Sequence, residues 1–324
     1  MPVVYERGDR PGGSLYLSSG VIWRYREWER FRAECPGGDE NLQRLVWERL
    51  DDDLAWLESL GAPVTRRETG NPLTTGLRFD PRGLTDTLAR HASDLRLLQP
   101  LTQLTETPTI LATGGFQGSS GLVRSYITAE APNLVLRASP WSVGDGLRLA
   151  IGRGAELTTG MDEFYGRNLA AAPEISAEQF VPLAQVYGRH ARIENLLGEP
   201  YEARTWSEID VVQWTARQPG ARARYHVGDD VLGESDGYRT VGEVIESARQ
   251  AEAPVQRAGG ITTVEVVAGI TTTLGGIQVD ERARAAEGLY AAGADVGGIS
   301  TGGWSSALAS ALVLGKLAAE SALS

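Results

Sequence analysis

The sequence has few of the residues that form disulfides and metal centres. Its 324 residues include one cysteine, Cys35, which excludes an intrachain disulfide and a multi-cysteine zinc or iron–sulfur site. The three histidines, His91, His190 and His226, are far apart and show no metal-ligand spacing. We therefore expect no metal site, and the single cysteine is consistent with a reducing cytoplasm.

Long apolar runs are also missing. No stretch approaches the roughly 20 continuous apolar residues that a membrane-spanning helix requires, and the start MPVVYERGDR has no apolar signal core. The net charge of −11, from 31 basic and 42 acidic residues, is spread along the chain. These features argue against nucleic acid and anionic membrane as partners and predict a cytoplasmic protein without a membrane span.

Local patterns predict a mixed α/β chain, long enough for one large domain or two modest ones. Leucines and a valine at three- and four-residue spacing predict an amphipathic helix over residues 41–60, and residues 81–96 show a second helical pattern. The apolar run 109–112 precedes Thr-Gly-Gly and predicts a buried strand that enters a tight turn. From 162 to about 258, aromatic and charged residues mix and the helices should be short.

Residues 275–318 contain the densest group of functional signals. An extended run at 288–295 ends in Asp295, a glycine-rich loop follows, and a helix of small residues is predicted from about Trp304 onward. This order places a carboxylate at a strand end and free backbone N–H groups at a helix start. Such groups can bind phosphates or the polar atoms of a ring.

This segment resembles the end of FAD-dependent oxidoreductases of the fumarate reductase and succinate dehydrogenase flavoprotein family, which includes 3-ketosteroid dehydrogenase-like relatives. Three other segments resemble that family in the same order: ERGDRPGGSLYLSSGVIW at the start, ATGGFQG at 112–118 and GDGLRLAIGRGAEL at 144–157. The resemblance implies an α/β fold. A Rossmann-like FAD-binding domain, shortened at its N-terminus, would comprise residues 1–160 and 265–324, with an inserted α+β capping domain at 161–264.

The resemblance also implies FAD as the cofactor and identifies residues that would bind it. Glu6 would accept hydrogen bonds from the adenosine ribose, residues 12–14 would approach the pyrophosphate, and residues 18–20 would lie beside the isoalloxazine. Asp295 would accept from ribityl hydroxyls, and residues 306–308 would offer amides to the N1–C2=O2 edge of the flavin. The full set is Glu6, Gly12, Gly13, Ser14, Ser18, Ser19, Gly20, Gly114, Gly115, Asp145, Asp295, Ser306, Ala307 and Leu308.

Several of these positions also have a structural interpretation. Glu6 is compatible with a surface glutamate in a turn, Gly114-Gly115 with a strand-end turn, and Asp145 with a helix N-cap. The small residues after Ser306 are typical of close helix packing, which is compatible with a cofactor role. The family also begins with a strand and a Gly-x-Gly-x-x-Gly turn, and the sequence given starts after the position of that unit.

The substrate positions differ from the family pattern. Thr272, Ile209 and Trp304 stand where the resemblance to soluble fumarate reductases implies a histidine and two arginines. We therefore expect a substrate other than a dicarboxylate. Gly275-Gly276 would leave room for it against the flavin.

Aromatic and hydroxylic residues replace the charged ones and predict a neutral or ring-shaped small-molecule substrate, such as an enone. These residues are Tyr165, Trp206, Thr272, Trp304 and Ser305, and core packing is their alternative role. Tyr165 and Thr272 are the candidate catalytic proton donors. Arg167 and Arg204 are candidate anion contacts.

Two functional hypotheses follow. In the first, the chain is an FAD-dependent oxidoreductase that moves hydride between flavin N5 and a carbon–carbon bond, with an electron donor or acceptor that the sequence does not identify. In the second, it is a truncated or degenerate, non-catalytic relative that holds flavin weakly or not at all. Visible flavin absorbance of the purified protein distinguishes the two.

Overall fold

The computed structural model describes residues 2–202, 207–235 and 239–324, and it contains the helix predicted over residues 41–60. This helix spans Glu40–Ser59. Its N-cap is Asp39, whose side chain accepts a hydrogen bond from the Leu42 amide at 2.9 Å. The apolar positions at three- and four-residue spacing, such as Leu50 and Leu57, are buried. The helix is thus specified by its cap and by one apolar face.

The described helices and strands follow one another in a mixed order along the chain. They are β1 (Val4–Tyr5), β2 (Val21–Tyr25), α1 (Trp28–Glu34), α2 (Glu40–Ser59), β3 (Val64–Arg66), β4 (Thr74–Phe79), α3 (Pro81–Arg90), β5 (Leu95–Arg96), β6 (Thr109–Leu111), α4 (Ser120–Tyr126), β7 (Val135–Leu136), α5 (Asp145–Gly152), β8 (Phe164–Ala170), β9 (Arg192–Asn195), α6 (Glu208–Thr215), β10 (Arg222–Gly228), α7 (Val241–Gln250), β11 (Val255–Ala258), β12 (Ile261–Thr273), β13 (Arg284–Ala286), β14 (Leu289–Ala291) and α8 (Ala307–Leu323). Among the residues described, no helix combines the length and apolarity needed to cross a bilayer.

The chain forms two compact units. Unit 1 comprises residues 1–119, 138–163 and 272–324, and unit 2 comprises residues 120–137 and 164–271. The sequence placed 120–137 in the first domain, whereas the structure places this segment in unit 2. The reason is long-range pairing: β7 runs parallel to β12, with Val135 opposite Gly269, and the Thr128 hydroxyl donates to the Ala216 carbonyl at 2.9 Å.

Unit 1 contains three small sheets. They pair β1 with β5, join β13, β14 and β6, and join β2, β4 and β3. Its apolar core lies between α2, α8 and the sheet of β2 and β4, with Leu50, Phe79 and Val313 among its buried members. Within the described chain, β1 pairs only with β5 and β6 only with β14, so both are edge strands. Tyr5 and Ile110 on these strands are exposed.

Unit 2 is built on one six-stranded sheet. β12 pairs antiparallel with β10 and β11, β9 extends the sheet beyond β10, and β7 and β8 also pair with β12. Alternate residues of β10 are buried, and Tyr225 lies in a core with Leu169 and Val264. This alternation is the expected pattern for a sheet that is covered on one face.

Two predicted elements differ in their limits. The helical pattern over 81–96 ends at Arg90, and Leu95–Arg96 forms β5, which pairs in parallel with Val4–Tyr5. That partner is distant in sequence and leaves no local signal. The last helix begins at Ala307 rather than Trp304 because the Ser306 hydroxyl caps it and accepts from the Ala309 amide at 3.2 Å.

Candidate functional site

Asp295 is the centre of a buried hydrogen-bond network in unit 1. Its carboxylate accepts from the Thr113 amide, from the Thr113 hydroxyl at 3.0 Å and from the Gly115 amide at 3.0 Å, and only 2% of the residue is exposed. The parallel register of β14 and β6 explains this meeting, because it aligns Ala291 with Leu111 and brings the two following loops together. Burial raises the pKa of Asp295, and the hydrogen bonds from Thr113 and Gly115 act in the opposite direction.

Gly114 and Gly115 form the tight turn that follows β6. Their φ angles are +93° and +80°, a region that favours glycine. A Cβ on Gly115 would lie 2.7 Å from the Thr273 hydroxyl and 2.8 Å from Gln117 Oε1. The turn therefore presents its amides to Asp295 only because both residues lack a side chain.

Asp145 and Glu6 belong to a separate set of contacts next to this network. Asp145 is the first residue of α5, and Gly144 occupies the N-cap, so the N-cap interpretation of Asp145 is wrong. Its carboxylate instead pairs with Arg7 at 2.6 Å. Glu6, next to Arg7, accepts from the Gly8 amide at 2.6 Å. Gly146 follows Asp145, and its amide donates to the Thr113 hydroxyl at 3.0 Å. Arg7 and Thr113, which follow β1 and β6, therefore both contact the start of α5.

The glycine turn at residues 12–14 has one packed and one open side. Gly12 has φ +99°, and a Cβ there would meet the Thr85 side chain at 2.6 Å, whereas a Cβ on Gly13 would have no neighbour within 4 Å. The Ser14 hydroxyl accepts from the Ser139 amide at 3.1 Å. Gly13 is thus the position of this turn that leaves backbone open to a ligand.

Residues 18–20 lead into β2. The Ser18 hydroxyl accepts a hydrogen bond from the Gly20 amide at 3.0 Å, and Ser19 is exposed. Gly20 lies so close to β4 that a Cβ on it would be 2.2 Å from the Phe79 carbonyl oxygen. Further along β2, the Trp23 amide donates to the Ser306 hydroxyl at 3.4 Å. The strand that follows residues 18–20 therefore contacts the start of α8.

A small pocket, with a cavity volume of about 30 Å³, opens at the amino end of α8. Its lining side chains are small, apolar or hydroxylic, and none of them is ionisable: Thr272, Thr273, Leu274, Gly293, Ala294, Val296, Ile299, Ser300, Trp304, Ala307 and Ser310. The Thr273 hydroxyl is buried and has no hydrogen-bond partner among the described residues. Helix geometry leaves the first amides of α8, at Ala307 and Leu308, without an intrahelical partner.

The remaining predicted residues are divided between the units. Thr272 lines the pocket in unit 1, and Tyr165 lies on β8 in unit 2, where Arg167 Cζ is 4.8 Å from its ring centroid. The Ser305 hydroxyl is 2.6 Å from that of Ser300. Trp206 and Arg204 lie outside the described residues.

Gly275 and Gly276 do not leave room for a substrate, contrary to expectation. A Cβ on Gly275 would be 2.5 Å from Met161 Cα, and one on Gly276 would be 2.5 Å from the Asp295 carbonyl oxygen and 2.9 Å from the Gly297 amide nitrogen. The backbone of unit 1 already fills this space. The two glycines instead allow three chain segments to approach closely.

Comparison with known proteins identifies the family. Residues 101–306, more than half of the chain, match the family described as FAD binding domain. The chain belongs to the FAD binding domain family. FAD is accordingly the cofactor that the match indicates, as the sequence resemblance implied. No curated protein matches the chain.

Solved structures with the same fold span almost the whole chain. A flavocytochrome c3 fumarate reductase in an open conformation has a TM-score of 0.68 and 19% identity, and the match covers 99% of this chain and 74% of that chain. A second structure, 3-ketosteroid-Δ4-(5α)-dehydrogenase from Rhodococcus jostii RHA1, has a TM-score of 0.69 and 15% identity. The match covers 99% of this chain and 91% of that chain. A third, 3-ketosteroid Δ1-dehydrogenase from Sterolibacterium denitrificans, has a TM-score of 0.72 and 13% identity. The match covers 99% of this chain and 94% of that chain. The predicted α/β flavoprotein fold is confirmed.

The pocket residues fit the polar, flat end of FAD. The α8 amides and the unpartnered Thr273 hydroxyl supply donors, and Gly293 and Ala294 add little bulk. Asp295 fits in part, because its carboxylate has about four lone-pair positions and three already accept hydrogen bonds. Thr273 has no assigned role in the sequence analysis, and Thr113 enters it only as part of the motif ATGGFQG.

Proposed function

We propose that this chain is an FAD-dependent oxidoreductase that acts on a carbon–carbon bond of a neutral, ring-shaped small molecule. The observation that supports this most directly is the uncharged pocket at the start of α8, where helix amides and a buried, unpartnered hydroxyl are available. FAD, when bound, supplies hydride transfer. The chain supplies binding, orientation and electrostatics.

The start of α8 would hold the electron-rich edge of the cofactor. The amides of Ala307 and Leu308 carry the positive end of the helix dipole and can stabilise negative charge that develops next to them. The Thr273 hydroxyl can donate one further hydrogen bond from a buried position. Such fixed donors need no reorganisation when charge appears.

The lining of the pocket supports a substrate without charge. Trp304 and Thr272 offer a flat apolar face and one hydroxyl, and no ionisable side chain among the described residues lines this pocket. Two proteins with the same fold were solved with ring ketones bound, 4-androstene-3,17-dione and 1,4-androstadiene-3,17-dione. We extend that substrate class, a cyclic ketone or enone, to this chain.

Tyr165 and Thr272 are the groups that we propose to handle the proton. A phenol can act as a general acid or base, whereas an aliphatic hydroxyl is a far weaker acid. We therefore propose Tyr165 for the proton transfer, and Thr272, which lines the pocket, is the alternative. Replacement of Tyr165 by Phe should then lower kcat about a hundredfold or more and change KM little.

Turnover with paired substrates tests the proposal. The purified chain, saturated with FAD, is assayed with an artificial electron acceptor and 4-androstene-3,17-dione, and separately with succinate. A reduced dye is used with cyclohexenone and with fumarate. We expect turnover of the cyclic ketones only. Equal or faster turnover of the dicarboxylates would overturn the substrate assignment.

The non-catalytic alternative is favoured by a specific observation. Asp295, expected to bind the ribityl chain, already accepts three internal hydrogen bonds, and the edge strands β1 and β6 carry exposed apolar side chains such as Tyr5 and Ile110. In this alternative the chain would hold flavin weakly or not at all. Titration with FAD, followed by flavin fluorescence, decides between the two: saturable quenching supports the enzyme, and no quenching supports the alternative.

A further inference from the structure

Two arginines of unit 2 lie on strands that share β12 as their partner. Arg137 directly follows β7, and its amide donates to the Ile270 carbonyl at 2.8 Å. Arg167 lies within β8, which also pairs with β12. Gly269 of β12 lies between them, since a Cβ on this glycine would be 2.5 Å from Arg137 Cδ and 3.0 Å from the Arg167 carbonyl oxygen. Two strand pairings thus place both arginines next to the same residue of β12.

Arg137 is held in a slot that depends on a glycine. A Cβ on Gly269 would be 2.5 Å from Arg137 Cδ and 3.1 Å from its Cγ, so the arginine stem lies where a side chain at position 269 would be. One Nη donates to the Thr271 hydroxyl at 3.0 Å and the other to the Phe180 carbonyl at 3.4 Å. Nε is buried and has no partner among the described residues.

Arg167 has even fewer partners. It donates one hydrogen bond, to the Gly166 carbonyl at 3.1 Å, and its guanidinium lies over the ring of Tyr165. A guanidinium carries five N–H donors, so most donors of this pair remain available. Neither arginine forms an ion pair with a carboxylate in residues 2–202, 207–235 or 239–324, whereas Arg222 in the same unit pairs with Glu265 at 2.6 Å.

This arrangement is electrostatically unfavourable unless an anion is present. Burial lowers the pKa of Arg137 to about 10, and the positive charge of Arg167 acts in the same direction. A shielded cation without a counter-charge costs free energy. An oxyanion next to both guanidinium groups would remove that cost and use the vacant donors.

We propose that Arg137 and Arg167 form an anion subsite that binds the carboxylate of a small molecule. A guanidinium presents its donors in a planar fork that matches the two oxygens of a carboxylate. The contact of Arg167 with the Tyr165 ring restrains one fork, and the Gly269 slot restrains the stem of the other. Every residue of the subsite belongs to unit 2.

Calorimetric titration of the full chain with sodium benzoate tests the subsite, and benzamide is the neutral isostere. Ionic strength is kept constant with sodium chloride, and inorganic phosphate is titrated in parallel. We expect wild-type protein to bind benzoate and not benzamide. Arg137→Gln and Arg167→Gln should each weaken benzoate binding by about tenfold or more, since each removes charged hydrogen bonds.

Arg222→Gln is the matched control because Arg222 already has the Glu265 carboxylate as its partner. It should bind benzoate as the wild type does. Should Arg137→Gln unfold, as judged by circular dichroism, Arg167→Gln decides the result. The proposal is overturned if benzoate does not bind, if benzamide binds equally, if phosphate binds in preference to benzoate, or if Arg222→Gln weakens binding as much as Arg167→Gln.

Discussion

The two units differ in how many hydrogen-bond partners they provide for a shielded charged side chain. In unit 1, Asp295 is surrounded by donors from Thr113 and Gly115, so a backbone turn satisfies the acid without a counter-ion. In unit 2, Arg137 has two acceptors for five donors and a second arginine nearby. Backbone amides are abundant at turns and can solvate an anion, whereas a guanidinium needs oxygen acceptors for all its N–H groups. The buried acid is internally satisfied and the base retains capacity for a ligand.

A second buried acid of unit 1 provides the largest expected effect. Asp53 is 1% exposed and pairs with Lys316 at 2.5 Å between α2 and α8. Lys316→Met should lower the free energy of unfolding by about 3–5 kcal/mol, because it leaves a buried carboxylate without its partner. Urea denaturation measures this change.

The exposed pair between the same two helices is the control. Arg49 and Glu320 are 3.0 Å apart at the surface, so Arg49→Met should cost less than about 1 kcal/mol. The double variant Lys316→Met/Asp53→Met should recover most of the stability. Equal losses for the two single variants would contradict the contrast between buried and exposed pairs.

Asp295→Ala should produce the next largest loss. It leaves the amides of Thr113 and Gly115 buried without an acceptor, and we expect a loss of about 3 kcal/mol in the free energy of unfolding. Chemical denaturation is again the measurement. Asp86→Ala, at an exposed position of α3, should change stability by less than about 0.5 kcal/mol. If Asp295→Ala is equally mild, the carboxylate does not organise this turn.

Gly115→Ala tests how the turn presents its amide to Asp295. The residue has φ +80°, and the new methyl group would lie 2.7 Å from the Thr273 hydroxyl, so we expect a loss of about 1–2 kcal/mol. Gly315→Ala is the matched control, because a Cβ there meets nothing within 4 Å. That change in the interior of α8 should stabilise the protein by about 0.5–1 kcal/mol, measured by thermal unfolding.

Thr273→Val should have the smallest effect on stability and a clear effect on the cofactor. The hydroxyl has no internal partner among the described residues, so its loss should change the free energy of unfolding by less than about 0.5 kcal/mol. FAD affinity, measured by fluorescence quenching, should fall about tenfold if this group donates to the flavin. Thr301→Val is the control, since Thr301 Oγ1 is also buried and unpartnered but does not line the pocket. Equal FAD affinity in the two variants would remove Thr273 from the proposed site.

The sequence alone determined the family, the cofactor and several elements. The four motifs are local strings, and the apolar periodicity of α2 and the small residues of α8 depend on neighbours one helical turn away. Such short-range signals survive in a single sequence. For the same reason the sequence predicts Asp295, at the end of a motif, as a site residue without giving its partners.

Only the tertiary structure decided which distant residues meet. The pairing of β5 with β1 and of β7 with β12, the filled space at Gly275 and Gly276, and the interaction of Arg137 with Arg167 all depend on strand register across many residues. Register is a property of the folded sheet and has no signature in a local window. Arg137, which carries the anion proposal, lies outside every motif, and only the pairing of β7 with β12 shows that its buried Nε has no partner among the described residues.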